Sequence, residues 1–254
     1  MKILSKLLVL VAAIVITKIT SAQSGYAAIN AHSHNDYMQA APFTHAYGAG
    51  FGAIEADIFL KNGHLLVAHE LKSVNPDRTL KGMYLDPIKE SLKKDTGRRL
   101  TLLIDVKEDY WYEMPVLLEE LKPLRKYCKT DKKDGRLLIL ISGNRPPPTE
   151  FANYPDYIYF DEDLRHTYTA EQLKKIGQVS LQYSLYSKWK GVGAIPLKDE
   201  QRIKHVIDSV HSLGKPIRFW DAPDNKAGWS SLIKLKADII GTDLIDELSA
   251  YLKQ

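Results

Sequence analysis

Ala53-Ile-Glu-Ala-Asp-Ile-Phe-Leu60, then Lys61-Asn-Gly63, then His64-Leu-Leu-Val-Ala68, decides how this chain is read. Side chains of a strand alternate between faces, so Glu55 and Asp57 share one face while Ile54, Ala56 and Ile58 take the other. Asn62-Gly63 is a turn dipeptide, which predicts a hairpin of Ile54–Leu60 with His64–Ala68 and sets His69 just past its end. Two solvated acids on an edge strand would be the plain interpretation of Glu55 and Asp57. Their company favours another. Neighbouring carboxylates repel, and they become tolerable with a hard divalent cation, Mg2+ or Ca2+, between them. His32, upstream in His32-Ser-His-Asn-Asp36, and His69, downstream, flank the pair as a general acid and a general base would.

Working outward, Tyr26–Ala31 is a short apolar run ending on His32, consistent with a buried first strand, and Asn35-Asp36 starts a loop. Further strands are expected at Leu100–Ile104, Leu137–Ile141, Tyr157–Phe160, Val179–Tyr183, Pro216–Trp220 and Ile239–Thr242. Between them the apolar spacing predicts helices over 84–96, opened by Asp86-Pro87, over 115–126, shortened by Pro123, and over 169–176, 200–213, 227–235 and 244–252. With the 64–68 arm set aside, eight strands each followed by helix or long loop imply a (β/α)8 barrel with a small β-hairpin extension after strand 2. His32, Glu55, Asp57, Asp105, Asn144, Asp161, Tyr183, Trp220 and Asp243 then fall at or just beyond the C-terminal ends of strands, where barrel active sites assemble.

The first residues are set apart from the fold. Lys2 and Lys6, the apolar run Leu7–Thr17 and small residues at Thr20-Ser-Ala22 read as a secretory signal peptide over 1–22, which leaves a single barrel domain over 23–254. Lys18 interrupts the run, so no permanent membrane span of about 20 apolar residues is expected. Without Lys2, Lys6 and Lys18 the 35 basic residues fall to 32 against 31 acidic ones, so the +4 charge belongs mostly to the leader and gives no support for nucleic-acid binding. The product is expected to be exported, periplasmic or secreted. The lone Cys128 is read as a packing residue.

Asp105 is the natural third ligand for one divalent cation, since it ends the strand beside that of Glu55 and Asp57. Lys107 points to the same side, as a neutralising charge or as a contact to a phosphate oxygen that would stabilise transition-state charge. Trp220 ends its strand as a pocket wall or as a core residue. His34 is read as facing away from His32, in a structural role.

Taken together, His32-Ser-His-Asn-Asp-Tyr37, Ile54-Glu-Ala-Asp57, Asn62-Gly63, Leu66-Val-Ala-His-Glu70 and Arg78-Thr-Leu80 resemble the altered inheritance of mitochondria protein 6 family. Weaker echoes lie at Ile104-Asp-Val-Lys107, Phe219-Trp220 and Ile239-Ile-Gly-Thr-Asp243. That family resembles the wider phospholipase-C-like superfamily, which includes glycerophosphodiester phosphodiesterases and sphingomyelinase-D-type enzymes. The resemblance implies a barrel with His32 and His69 as catalytic pair, Glu55, Asp57 and Asp105 as metal ligands, and Lys107 and Asn35 at the substrate. The implied reaction is hydrolysis of a lipid-derived or other small phosphodiester. Glycerophosphodiesterases usually carry Arg-Gly after the first histidine and Glu-Asn soon after; here stand Ser33-His34 and Asn35-Asp36, so one phosphate-binding arginine is absent. Two rivals follow. One is a barrel that binds a ligand without turnover. The other is a metal-dependent amidohydrolase, since His-x-His on a first strand also begins a zinc site, although the later histidines are missing at Asp161 and Ser184.

Overall fold

The computed structural model describes residues 25–94 and 97–254. The leader expected at 1–22 lies outside them. Strand β1 (Ala31–Ser33) is followed by a loop, the short helix α1 (Thr44–Gly48), and the long strand β2 (Ala53–Lys61). Asn62 and Gly63 both take positive φ, 51° and 80°, and return the chain into β3 (His64–Val67), which pairs antiparallel with β2 as the hairpin reading requires. The alternation then runs α2 (Asp86–Lys93), β4 (Leu100–Val106), α3 (Tyr110–Leu121), β5 (Leu137–Gly143), β6 (Ile158–Glu162), α4 (Ala170–Lys175), β7 (Ile176–Gln182), α5 (Leu197–Ser212), β8 (Ile217–Trp220), α6 (Lys226–Leu235), β9 (Ile240–Thr242) and α7 (Ile245–Leu252).

The strands other than β3 pair in parallel in the order β8-β7-β6-β5-β4-β2-β1-β9. A bridge between Arg218 and Ile239 brings β9 back against β8, giving the expected (β/α)8 barrel, nearly closed, with the β3 arm outside it. No helix among the described residues is long and apolar enough to cross a membrane.

Several boundaries differ from those expected. Helix α3 starts at Tyr110 rather than Pro115, because the Asp109 side chain caps it by accepting from Trp111 N at 2.9 Å. Pro123 does end the α-helical hydrogen bonding, and Lys122–Tyr127 continues as 3-10 helix. Asp86 is no cap, since a π-helical turn over Lys81–Leu85 already leads into α2. β7 begins at Ile176 rather than Val179, where Gly177 lies so close to β5 that a Cβ would meet Leu140 Cδ1 at 2.8 Å.

Two apolar layers and one polar layer follow from the pleat. Helix faces such as Ile203, Val206, Ile207 and Val210 pack on the outside of the barrel. Inside, Leu103, Leu140 and Tyr159 from adjacent staves pack together. Two residues further along the same staves the inward side chains are Asp105, Ser142 and Asp161, so the interior becomes polar at its C-terminal end. Cys128 is buried, with a thiol pushed up to about 12 by desolvation, consistent with packing rather than reactivity.

The overhang of β2 beyond its neighbours needs a partner for its backbone, and α3 supplies one. Leu60 N donates to Glu113 Oε1 at 3.2 Å, while Glu113 Oε2 is buried without a partner. Burial raises the Glu113 carboxyl to about 7. A carboxyl raised on folding stabilises most below its unfolded value, and that contribution is lost as pH rises through the folded one. Glu113→Gln keeps the acceptor and removes the charge. It is expected to match the wild type in urea melts at pH 4 and to exceed it by about 1–2 kcal/mol at pH 8; a difference independent of pH would contradict the assignment.

Candidate active site at the C-terminal mouth of the barrel

The β2–β4 register sets Asp57 directly beside Asp105, and Glu55 lies one pleat deeper on the same face of β2. One ligand atom from each of these three carboxylates falls within 4.8 Å of the others. Gly143, at φ 69°, makes room for them: a Cβ there would stand 2.3 Å from Asp105 Oδ1. Lys107 Nζ lies 2.7 Å from Asp57 Oδ2 and 3.3 Å from Asp105 Oδ1. Burial works against its ammonium, but the two carboxylates outweigh that and hold it protonated.

Charge is not fully balanced here. Burial, then Glu55, raises the Asp57 carboxyl, and burial raises Asp105 to about 6. Asp57 Oδ1 is buried with no hydrogen-bond partner. An all-oxygen cluster with an orphaned lone pair and two reluctant carboxylates fits a hard divalent cation held by Glu55, Asp57 and Asp105.

The histidines fall differently from the expectation. His32 is fully buried and lies below the cavity, with Nε2 2.6 Å from Glu55 Oε2 and 2.5 Å from Arg218 Nη1, so its tautomer decides whether it donates to the carboxylate or accepts from the guanidinium. Burial, then the adjacent guanidinium of Arg218, lowers it to about 4. His34 lines the cavity instead. Residues i and i+2 of a strand share a face, so His34 points inward like His32 but one layer nearer the mouth. Its Nδ1 donates to Asp243 Oδ1 at 2.8 Å. Burial opposes its imidazolium, yet Asp243 and Glu55 prevail and raise it above its ordinary value. His69, half exposed, lines the same cavity.

Asp36 sets up this arrangement from below. Wholly buried, it accepts from Ser33 Oγ at 2.8 Å, Phe43 N at 2.5 Å and Tyr84 Oη at 3.0 Å, which winds the loop after β1 so that Asn35 takes φ 47°. Arg78 Nη2 donates to the Tyr37 carbonyl and braces the same loop. Tyr37 Oη then lies 2.6 Å from Asn35 Oδ1, 2.8 Å from Asp57 Oδ2 and 3.0 Å from His69 Nδ1. The first two only accept, so the arrangement favours a proton on His69 Nδ1 donated to Tyr37, which leaves Nε2 as the free basic nitrogen. Asn35 thus acts through Tyr37 at the edge of the site rather than on the cavity wall.

Arg218 is a site residue that the sequence reading passed over. Two positions before Trp220 on β8, it shares the inward face, and that spacing was the available signal. It is buried, with Nη1 2.8 Å from Glu55 Oε2 and Nε 3.2 Å from Ser180 Oγ. Arg218 and His32 together hold the Glu55 carboxyl well below the usual range despite its burial. Arg218 lines the cavity, and its Nη2 makes no hydrogen bond among the described residues. Trp220 stands on the cavity wall. The cavity, about 590 Å3, is within the range of small-molecule sites. Among the described residues the group placed to hold a metal ion is Glu55, Asp57 and Asp105, and neither His32 nor His34 belongs to it.

Solved structures share this barrel. A glycerophosphodiester phosphodiesterase from Parabacteroides distasonis superposes with a TM-score of 0.57 at 15% identity, covering 88% of this chain and 97% of that one. A Ca2+-dependent phosphatidylinositol-specific phospholipase C from Streptomyces antibioticus gives 0.55 at 12% identity, with 84% and 91% covered. At these identities the likeness is one of fold, the barrel that such phosphodiester hydrolases use. The chain itself belongs to the AIM6-like phosphodiesterase domain family, whose profile matches residues 20–161. An altered inheritance of mitochondria protein 6 from Kluyveromyces lactis is 35% identical over 301 aligned positions, covering 87% of this chain and 72% of that protein. The homologue from Arthroderma benhamiae is 26% identical over 272, covering 91% and 86%.

Proposed function

We propose that this protein is an exported, metal-dependent phosphodiesterase that hydrolyses a small or lipid-derived phosphodiester, with His34 and His69 as acid and base. The observation that carries the reading is the convergence of the Glu55–Asp57–Asp105 cluster, the cations Lys107 and Arg218, and two imidazoles on one cavity in a barrel of the phosphodiesterase family. Export rests on the leader at 1–22.

Lys107 and the free Nη2 of Arg218 supply positive charge to the non-bridging phosphate oxygens, and Arg218 takes the place of the arginine missing after the first histidine. A divalent cation held by Glu55, Asp57 and Asp105 would add Lewis-acid stabilisation of the same charge. His69, with Nε2 unprotonated, removes the proton of the attacking hydroxyl or water. His34, whose imidazolium Asp243 stabilises, gives its proton to the departing alkoxide. His32 acts through Glu55, holding that carboxylate in place from below.

The test is a screen of the purified mature protein against phosphodiesters, phosphomonoesters and amides with Mg2+, Ca2+, Zn2+ or a chelator. Diester turnover is expected, abolished by chelation and restored by Mg2+ or Ca2+, while Asp57→Asn should weaken metal binding in titration calorimetry with the fold retained by circular dichroism. Full activity in excess chelator would overturn the metal requirement. Binding of diesters with no turnover under any condition would instead make the barrel a binding module.

A further inference from the structure

One buried group on the cavity wall has no part in the proposed chemistry. Asp161 is the penultimate residue of β6, on the stave opposite β1 in the ring of eight, and so faces His34 across the barrel. It is only 3% exposed, it lines the cavity, and neither carboxylate oxygen meets a hydrogen-bond partner of full geometry among the described residues. A buried carboxylate without partners is costly, and such a group is ordinarily satisfied by something bound. No cation of the protein hydrogen-bonds it among the described residues. Arg145 is turned to Glu162 Oε1 at 2.8 Å, and Arg218 to Glu55 and Ser180. Ser180 Oγ accepts from Gln178 Nε2 at 2.9 Å and from Arg218 Nε, leaving its proton to bear on Asp161 at less than ideal geometry.

We infer that Asp161 is the specificity-determining residue of a second subsite in this cavity, which accepts a hydrogen bond from a neutral hydroxyl on one ester substituent of the phosphodiester. The inference rests on the phosphodiester reading above. The position follows from Arg218, whose guanidinium spans from Glu55 to Ser180, between the carboxylate cluster and Asp161. A phosphate held by that guanidinium has one substituent directed along β6 and β7, where Asp161, Ser180 and the loosely held Gln182 amide face the cavity. The charge around Asp161 selects the donor. The guanidinium groups of Arg218 and Arg145 bear on it more than the Glu55 carboxylate does, so its charge is already offset and an ammonium gains little there, while a hydroxyl still supplies the missing hydrogen bond.

The experiment is titration calorimetry of the mature protein with glycerol 1-phosphate, ethyl phosphate and phosphoethanolamine, which share a phosphate and differ in the donor they carry. Burial raises the Asp161 carboxyl to about 7, so at about pH 8.5, where it is ionised, glycerol 1-phosphate is expected to bind about tenfold or more tightly than either of the others, the range for a hydrogen bond to a charged acceptor. In Asp161→Ala that preference should shrink to about twofold or less, with ethyl phosphate affinity as in the wild type. Ser180→Ala, a milder change, should reduce the preference without removing it. Equal binding of glycerol 1-phosphate and ethyl phosphate, or a preference that survives Asp161→Ala, overturns the subsite while leaving the phosphodiester reading intact. Tighter binding of phosphoethanolamine overturns it in favour of a cation site. If no probe binds, ethyl phosphate included, the subsite is overturned, while the phosphodiester reading stands or falls on the diester screen.

Discussion

His34→Ala is expected to lose about 10²- to 10⁴-fold in turnover of an alkyl phosphodiester and far less on a nitrophenyl diester, because a low-pKa phenolate departs without a proton. His69→Ala should lose a similar large factor on both, since deprotonation of the nucleophile is needed whatever leaves. The asymmetry follows from the partners: His34 Nδ1 is 2.8 Å from the Asp243 carboxylate, which favours the charged acid, whereas His69 Nδ1 meets the Tyr37 hydroxyl at 3.0 Å and only at 3.4 Å the Asp57 Oδ2 that Lys107 already neutralises. Comparing kcat on the two substrates for each variant reads the roles directly. If His34→Ala retained full activity on the alkyl diester, the acid assignment would be wrong.

The second large effect is on stability. Arg218→Met removes one member of a buried ion pair and leaves Glu55, 5% exposed, facing only His32. Breaking such a pair from one side costs about 3–5 kcal/mol, because the remaining charge is buried without compensation. Pairing the change with Glu55→Gln should recover most of that loss, since the uncompensated charge is gone. Urea unfolding of the two single variants and the double variant measures the coupling. A loss below about 1 kcal/mol in Arg218→Met would mean that solvent already reaches the pair.

The parts of the site that the sequence made legible are those that sit within one short segment. Period-2 spacing put Glu55 and Asp57 on a common face, the Asn62-Gly63 turn placed His69, and the next stave brought Asp105 and Lys107 beside them. The alternating βα pattern likewise made the barrel readable. What escaped depended on the closure of the ring or on a turn. Arg218 meets Glu55 only because the sheet curls round to bring β8 near β2, a contact between residues 163 apart in sequence. Tyr37 reaches Asp57 and His69 only because Asp36 winds the preceding loop, and Asp36 does that through long-range bonds to Phe43 and Tyr84. His34 is a different case, since its spacing from His32 already implied a shared face. Helix starts were misplaced where a cap or an irregular turn, at Asp109 and at Lys81–Leu85, governed the boundary more than apolar spacing did.

At the joint between β8 and β9 the staves meet by a bridge at Arg218 and Ile239 and by Asp238 N and Ile239 N donating to the Ile217 carbonyl, whereas β4 and β5 pair along their whole length. The same Arg218 reaches past β9 to His32 on β1 and Glu55 on β2. The hoop is thus thinly joined in its backbone at this seam and fastened by a side-chain clasp as well, and that clasp lines the cavity. The side chain that helps to shut the barrel is therefore also the one that lines the cavity, so a change at Arg218 reaches the seam and the cavity wall together.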